Sequence, residues 1–319
     1  MAAALTASVV GAALTNGAAA LAGSDLTTCG YAKSGPPGPR GNYLQIQQSP
    51  SRPAVTISRS GRRLVVDERS PLDCTGPVPT VDNIDRIFLL SDGMRKLSLD
   101  MRNGGLGPGA SEKGAGAEIE VFVRVSGSAG RQGAQLTLLA GGAPNVVTFG
   151  RAAGSEQFNL NARRERLDDT DVYVESVDYS RSTFHTGLAG GDNTVDGRGP
   201  GRLRPSGFSG IFHMGPGANR IFGPLGESHL HTSGGPDLLV GGPSTDSIIG
   251  AAGRDRLIGG GGDDRLSPGS GRDTVDAGGG DDQISTSDDQ VDRIDCGPGE
   301  DRVRGAGPED TVRNCESLL

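Results

Sequence analysis

The stretch Gly259-Gly260-Gly261-Gly262-Asp263-Asp264-Arg265-Leu266 decides the fold of this chain. Its glycines tolerate left-handed backbone, so the chain can curl tightly there. The short segment after Asp264 reads as a minimal strand, with Leu266 turned inward and its flanks outward. Working outward from Asp264, an aspartate recurs every nine residues at Asp237, Asp246, Asp255, Asp264, Asp273 and Asp282. Two residues after each stands an aliphatic side chain: Leu239, Ile248, Leu257, Leu266, Val275 and Ile284. One inserted residue shifts the phase, and the pattern resumes at Asp292/Ile294, Asp301/Val303 and Asp310/Val312. Nine such units in a row specify a repeat architecture. Two units make one coil with a turn on each side, so the expected fold is all-β, a parallel β-solenoid ending in a β-roll. Asp237, Asp255 and Asp273 then line one edge, and Asp246, Asp264 and Asp282 the other.

The turn chemistry points to a hard cation. Tightly curled glycine turns aim carbonyl oxygens at one place, and the aspartate adds an anionic oxygen, the donor type Ca²⁺ prefers. The expected ligands are Asp237, Asp246, Asp255, Asp264, Asp273, Asp282, Asp292, Asp301 and Asp310, with the turn glycines Gly241, Gly253, Gly259, Gly260, Gly262, Gly271 and Gly280. One buried aliphatic chain per nine ordered residues falls short of the conformational entropy lost, so a ligand selective for the folded state is expected. Charge is distributed accordingly. Residues 232–319 hold 18 acidic side chains against 8 arginines, a net of −10, whereas residues 1–231 carry a net of +2. Aspartate also satisfies turn amides by itself, which leaves a metal-free acidic solenoid as the competing reading.

These units resemble the RTX, or hemolysin-type, calcium-binding repeat family, and the resemblance covers about residues 232–313. It implies that turn carbonyls and aspartates of stacked units enclose Ca²⁺, and that millimolar extracellular calcium triggers folding. Several units depart from the pattern. Gly241-Gly242-Pro243-Ser244-Thr245-Asp246 lacks the third glycine, Pro268-Gly269-Ser270-Gly271-Arg272-Asp273 lacks the first, and Thr286-Ser287-Asp288-Asp289-Gln290 has none. Fewer calcium ions than units are therefore expected.

Residues 1–22 are uncharged and rich in Ala, Leu and Val, ending in Ala20-Leu21-Ala22 before Gly23-Ser24. They read as a signal peptide although no basic residue precedes the apolar run, and the protein is expected to be secreted. No later segment is long and apolar enough to span a membrane. Eight Phe, four Tyr and no Trp argue against a thick globular core and for a thin stacked architecture. Cys296 and Cys315 are 19 residues apart, close to one coil, which sets them about one strand spacing of ~4.8 Å apart and within disulfide range. Cys29 and Cys74 pair by default.

The region 23–186 reads as β-rich: Tyr43–Gln47, Ala54–Ser58, Arg63–Asp67, Ile87–Leu90, Lys96–Asp100, Glu118–Val125, Gln135–Leu139 and Asp171–Glu175 are short strands divided by turn residues. Residues 33–40 are a linker or an irregular cap. An irregular solenoid and a β-sandwich both fit the region. The bridge 187–231 favours the solenoid, because counting back nine from Leu239 reaches Leu230, Ile221 and Phe212, as in degenerate repeats. The unit 232–319 is the roll with its cap.

No zinc-protease His-Glu-x-x-His, nucleophile elbow or phosphate loop occurs. His229 and His231 share one strand face, with His213 able to approach from a neighbouring coil; they read as solvated surface histidines. Asp168-Asp169-x-Asp171 beside Arg163-Arg164-Glu165-Arg166 reads as a charged loop. Basic residues are scattered without aromatic platforms, which argues against nucleic acid. The expected function is a non-catalytic calcium-binding protein with a structural or adhesive role. Its partners are calcium ions, with a cell-surface or extracellular polysaccharide as the macromolecular candidate. The competing reading is a carbohydrate-active solenoid with a lyase- or epimerase-like site in the 80–185 region.

Overall fold

The computed structural model describes residues 183–199, 208–286 and 290–319, and ahead of them residues 28–33, 42–48, 54–66, 74–75, 78, 80, 84, 86–91, 96–103, 120–125, 135–141, 146–152, 155–160 and 172–175. The expected signal peptide (1–22) and the charged segment 163–171 lie outside the described residues, as do 34–40 of the linker. Among the described residues every regular element is a strand.

Two sheets face each other along the chain, one of 15 strands and one of 12. Successive coils contribute one strand to each. From Thr183–Leu188 onward every pairing within these two sheets is parallel and in register, one coil against the next. The register builds continuous inward rows. Val195, Ile221, Leu239, Leu257, Val275 and Ile294 stack in one sheet, and Phe212, Leu230, Ile248, Leu266, Ile284 and Val303 in the other. All twelve are buried. The repeat's one aliphatic residue per unit is thus its main contribution to a thin core, with Ala277 and Cys296 buried beside these rows.

Closer to the N-terminus the strands lengthen and each turns two side chains inward. Leu44 and Ile46 face Ile87 and Leu89 across the pairing, and Val55 and Ile57 stack on Leu97 and Leu99; all are buried. The same two sheets run through this region, interrupted by antiparallel excursions. These are Thr28–Lys33 on Asn42–Gln48, Ala54–Ser60 on Arg63–Val66, and Val146–Ala152 on Ser155–Leu160 on Val172–Glu175. Two of them join strands only two residues apart in the chain, Ala54–Ser60 to Arg63–Val66 and Val146–Ala152 to Ser155–Leu160, and so short a connection can join only antiparallel strands.

Where the wide core meets the thin one, five buried phenylalanines fill the step: Phe149, Phe158, Phe184, Phe208 and Phe212. Phe149 and Phe158 stack at 5.4 Å between ring centroids, and Phe184 lies 4.9 Å from Phe149 and 4.8 Å from Phe158. Glycine is required beside them at two points. A Cβ at Gly197 would strike the Phe149 ring, and one at Gly210 the Phe212 ring.

Cys296 and Cys315 form a disulfide with Cα atoms 5.3 Å apart, pinning the last coil to the one before. At the other end the backbone sets Cys29 opposite Cys74 in the parallel pairing of Thr28–Lys33 with Cys74–Thr75.

Candidate metal centre

Each repeat aspartate stands just before a short strand of three to six residues, so coil stacking repeats its position at a fixed spacing. The carboxylates form two ladders. On one edge the backbone N–H of Asn219 donates to Asp237 Oδ1 (2.7 Å), Asp237 to Asp255 (2.9 Å), Asp255 to Asp273 (2.7 Å), Asp273 to Asp292 (2.9 Å) and Asp292 to Asp310 (2.8 Å). On the other, Ser228 donates to Asp246 (2.6 Å), Asp246 to Asp264 (2.7 Å), Asp264 to Asp282 (2.8 Å) and Asp282 to Asp301 (2.7 Å). Glu316 closes this second ladder, its Oε2 accepting from the Asp301 N–H at 2.8 Å. One oxygen of each carboxylate is therefore used to lock adjacent coils.

The second oxygen sorts the units. Asp246 Oδ2 accepts from the Gly242 N–H at 2.6 Å, and Asp310 Oδ2 from the Gly307 N–H at 2.7 Å. In Asp255, Asp264, Asp282 and Asp301 the Oδ2 is buried and accepts no hydrogen bond. A buried oxygen without a donor is costly, and a buried anionic one more so. Accordingly, burial raises these carboxyls above their ordinary range. Asp255 and Asp264 are pushed up to about 7, with the neighbouring ladder carboxylates adding to the rise. Asp246 and Asp282 reach about 6, again chiefly through burial.

The upstream end of the first ladder shows what the second position requires. There Asn219 occupies the aspartate's place, and its Nδ2 donates to the carbonyls of Gly215 and Gly217, each at 3.1 Å. Asn193, one coil earlier, donates its Nδ2 to Gly191 O at 2.8 Å. An amide thus meets the turn carbonyls with N–H groups. An aspartate in the same position brings an oxygen instead, and oxygen facing oxygen calls for a cation between them. Asp255, Asp264, Asp282 and Asp301 are the residues that fit one, with turn carbonyls as the remaining donors.

Glycine keeps the room. A Cβ on Gly250 would stand 2.5 Å from Asp255 Oδ2 and 2.6 Å from Pro268 O of the next coil. A Cβ on Gly259 would likewise strike Asp264 Oδ2 and Ala277 O, and one on Gly241 would strike Asp246 Oδ2 and Gly259 O. Gly253, Gly260, Gly262, Gly271 and Gly280 have positive φ, and a side chain at each would run into backbone of the preceding coil. At Ala251 a non-glycine residue takes the left-handed conformation with φ of 71°.

Among the described residues no three acidic, imidazole or thiolate side chains converge on one point. The ladder arrangement explains this: each turn supplies one carboxylate, and a cation there would be held mostly by carbonyls. Sequence inspection picked the aspartates and their glycines. It passed over Gly250, the carbonyls of Pro268 and Ala277, and the ladder ends Asn219, Ser228 and Glu316. The missing signal was available, because counting back nine and eighteen from Asp237 reaches Ser228 and Asn219.

A family model described as the RTX calcium-binding nonapeptide repeat, in 4 copies, matches residues 231–266 and 258–290. No curated protein and no solved structure matches the chain. The matched residues lie within the ladders of buried aspartates: residues 231–290 are RTX-type nonapeptide repeats, which bind Ca²⁺.

Proposed function

We propose that the protein is a secreted, non-catalytic calcium-binding solenoid whose roll draws much of its stability at neutral pH from calcium held in its turns. The observation that carries this reading is the buried second oxygen of Asp255, Asp264, Asp282 and Asp301, which accepts no hydrogen bond. Bound calcium supplies the positive charge that offsets burial of these carboxylates and their mutual repulsion. The aspartates hold the coils in register through Oδ1 and present Oδ2 to the site, while the turn glycines keep side chains out of it. Export supports the same reading, since extracellular calcium is millimolar and the four cysteines suit an oxidising compartment. A long, regular face made of repeated coils suits a structural or adhesive role toward a cell-surface or extracellular polysaccharide.

The test is circular dichroism of residues 23–319, disulfides intact, titrated from chelator into millimolar calcium and separately into magnesium. A cooperative gain of β signal with calcium alone supports the proposal. A spectrum already complete in chelator, together with no calcium bound at equilibrium dialysis, would overturn it.

A further inference from the structure

The chain has only four histidines, and the solenoid brings all of them to the outer face of one sheet. The register pairs His185 with Ile211, Ile211 with His229, and His213 with His231. His229 and His231 alternate with the buried Leu230, and His213 stands between the buried Phe212 and Met214, so all three imidazoles point outward. The rings of His213 and His231 are 5.5 Å apart. The calcium reading uses none of these residues.

We propose that His213 and His231 form a two-imidazole surface site for a late first-row divalent cation such as Zn²⁺. Two features favour it. Neutral imidazole is a preferred ligand for such ions, and a parallel in-register pairing fixes two imidazoles side by side without further ordering. The ion would tie Ser209–Met214 to Ser228–His231, joining the phenylalanine-filled step to the first repeat coil.

The probe is Zn²⁺ added to the untagged full chain with disulfides intact and calcium saturating, so that the carboxylate ladders do not compete. Calorimetry and histidine ring-proton NMR are the readouts. We expect one Zn²⁺ per chain, with the ring signals of His213 and His231 displaced. The double variant His213→Ala/His231→Ala should lose affinity by about tenfold or more, whereas His185→Ala keeps it. Both variants alter only the outer face, and an unchanged dichroism spectrum in calcium verifies their fold. Wild-type affinity in the double variant, or ring signals that do not move in the wild type, would overturn the site. The calcium reading stands or falls separately, since calcium is present throughout.

Discussion

Replacing Asp264 by asparagine separates the two jobs of a ladder carboxylate. Asp264 Oδ1 accepts the Asp246 N–H at 2.7 Å, a bond an asparagine Oδ1 retains. Its Oδ2 is buried without a donor, and an amide placed there can donate to the turn carbonyls as Asn219 does. Burial lifts the Asp264 carboxyl from 3.8 to about 7, so ionising it in the calcium-free fold costs on the order of 4 kcal/mol at pH 8. Asp264→Asn removes that cost and relieves the repulsion with Asp246 and Asp282. In chelator at pH 8 the variant should resist urea better than the wild type, by roughly 2–4 kcal/mol. In millimolar calcium the order should reverse, because the amide supplies no negative charge to the cation. Urea unfolding followed by circular dichroism, with and without calcium, measures both differences. A useful control is Asp264→Ala, which also deprives the Asp246 N–H of its acceptor and should be weaker in both conditions. The reasoning fails if Asp264→Asn is less stable than wild type in chelator, or if its calcium-induced stabilisation is undiminished.

Other outcomes follow from the same geometry. Calcium-free protein should gain stability as pH falls. Raised carboxyls such as Asp255 and Asp264 (about 7) and Asp246 and Asp282 (about 6) bind protons more readily folded than unfolded. The stability so gained is complete below about pH 4 and lost as pH rises through 6 to 7; melting in chelator across pH 4–8 would contradict this if the midpoint rose with pH. Ala251→Gly should stabilise the calcium-loaded roll by about 0.5–1 kcal/mol, since φ is 71° there, and a lower melting temperature would count against it. Gly271→Ala puts a Cβ onto the Gly253 carbonyl at a φ of 144°. It should cost about 1–3 kcal/mol and weaken the calcium response, both read from one calcium titration. Cys315→Ser should lower stability by roughly 3 kcal/mol, with amides of residues 290–319 exchanging earliest; uniform exchange along the roll would show that the last coil is not where the disulfide acts.

Much of the fold was legible as period. Leu239, Leu257 and Val275 are inward by the count of nine alone, and the same count run backward reached Leu230, Ile221 and Phe212, all buried. Several N-terminal strands were equally readable: Ala54–Ser60 shows the predicted alternation, whereas Lys96–Met101 and Gln135–Ala140 are strands where expected but bury three successive residues each. The strands at Val146–Ala152 and Ser155–Leu160 went unread because their antiparallel pairing interrupts the coil rhythm. The phenylalanine step escaped notice as well. Its members come from residues 149 to 212, and nothing local says that five separated rings will meet.

The sequence by itself determined the coil, the inward residue of each unit and the two columns of aspartates, because a period is a property of one dimension. Only the tertiary structure decided which carboxylates keep a buried oxygen without a donor. That depends on whether a backbone N–H reaches the second oxygen, as Gly242 does for Asp246 and no donor does for Asp264. It also decided that four histidines scattered from 185 to 231 share one face. Stacking, not spacing, brings such groups together, since coils one above another sit about 4.8 Å apart whatever length of chain lies between them.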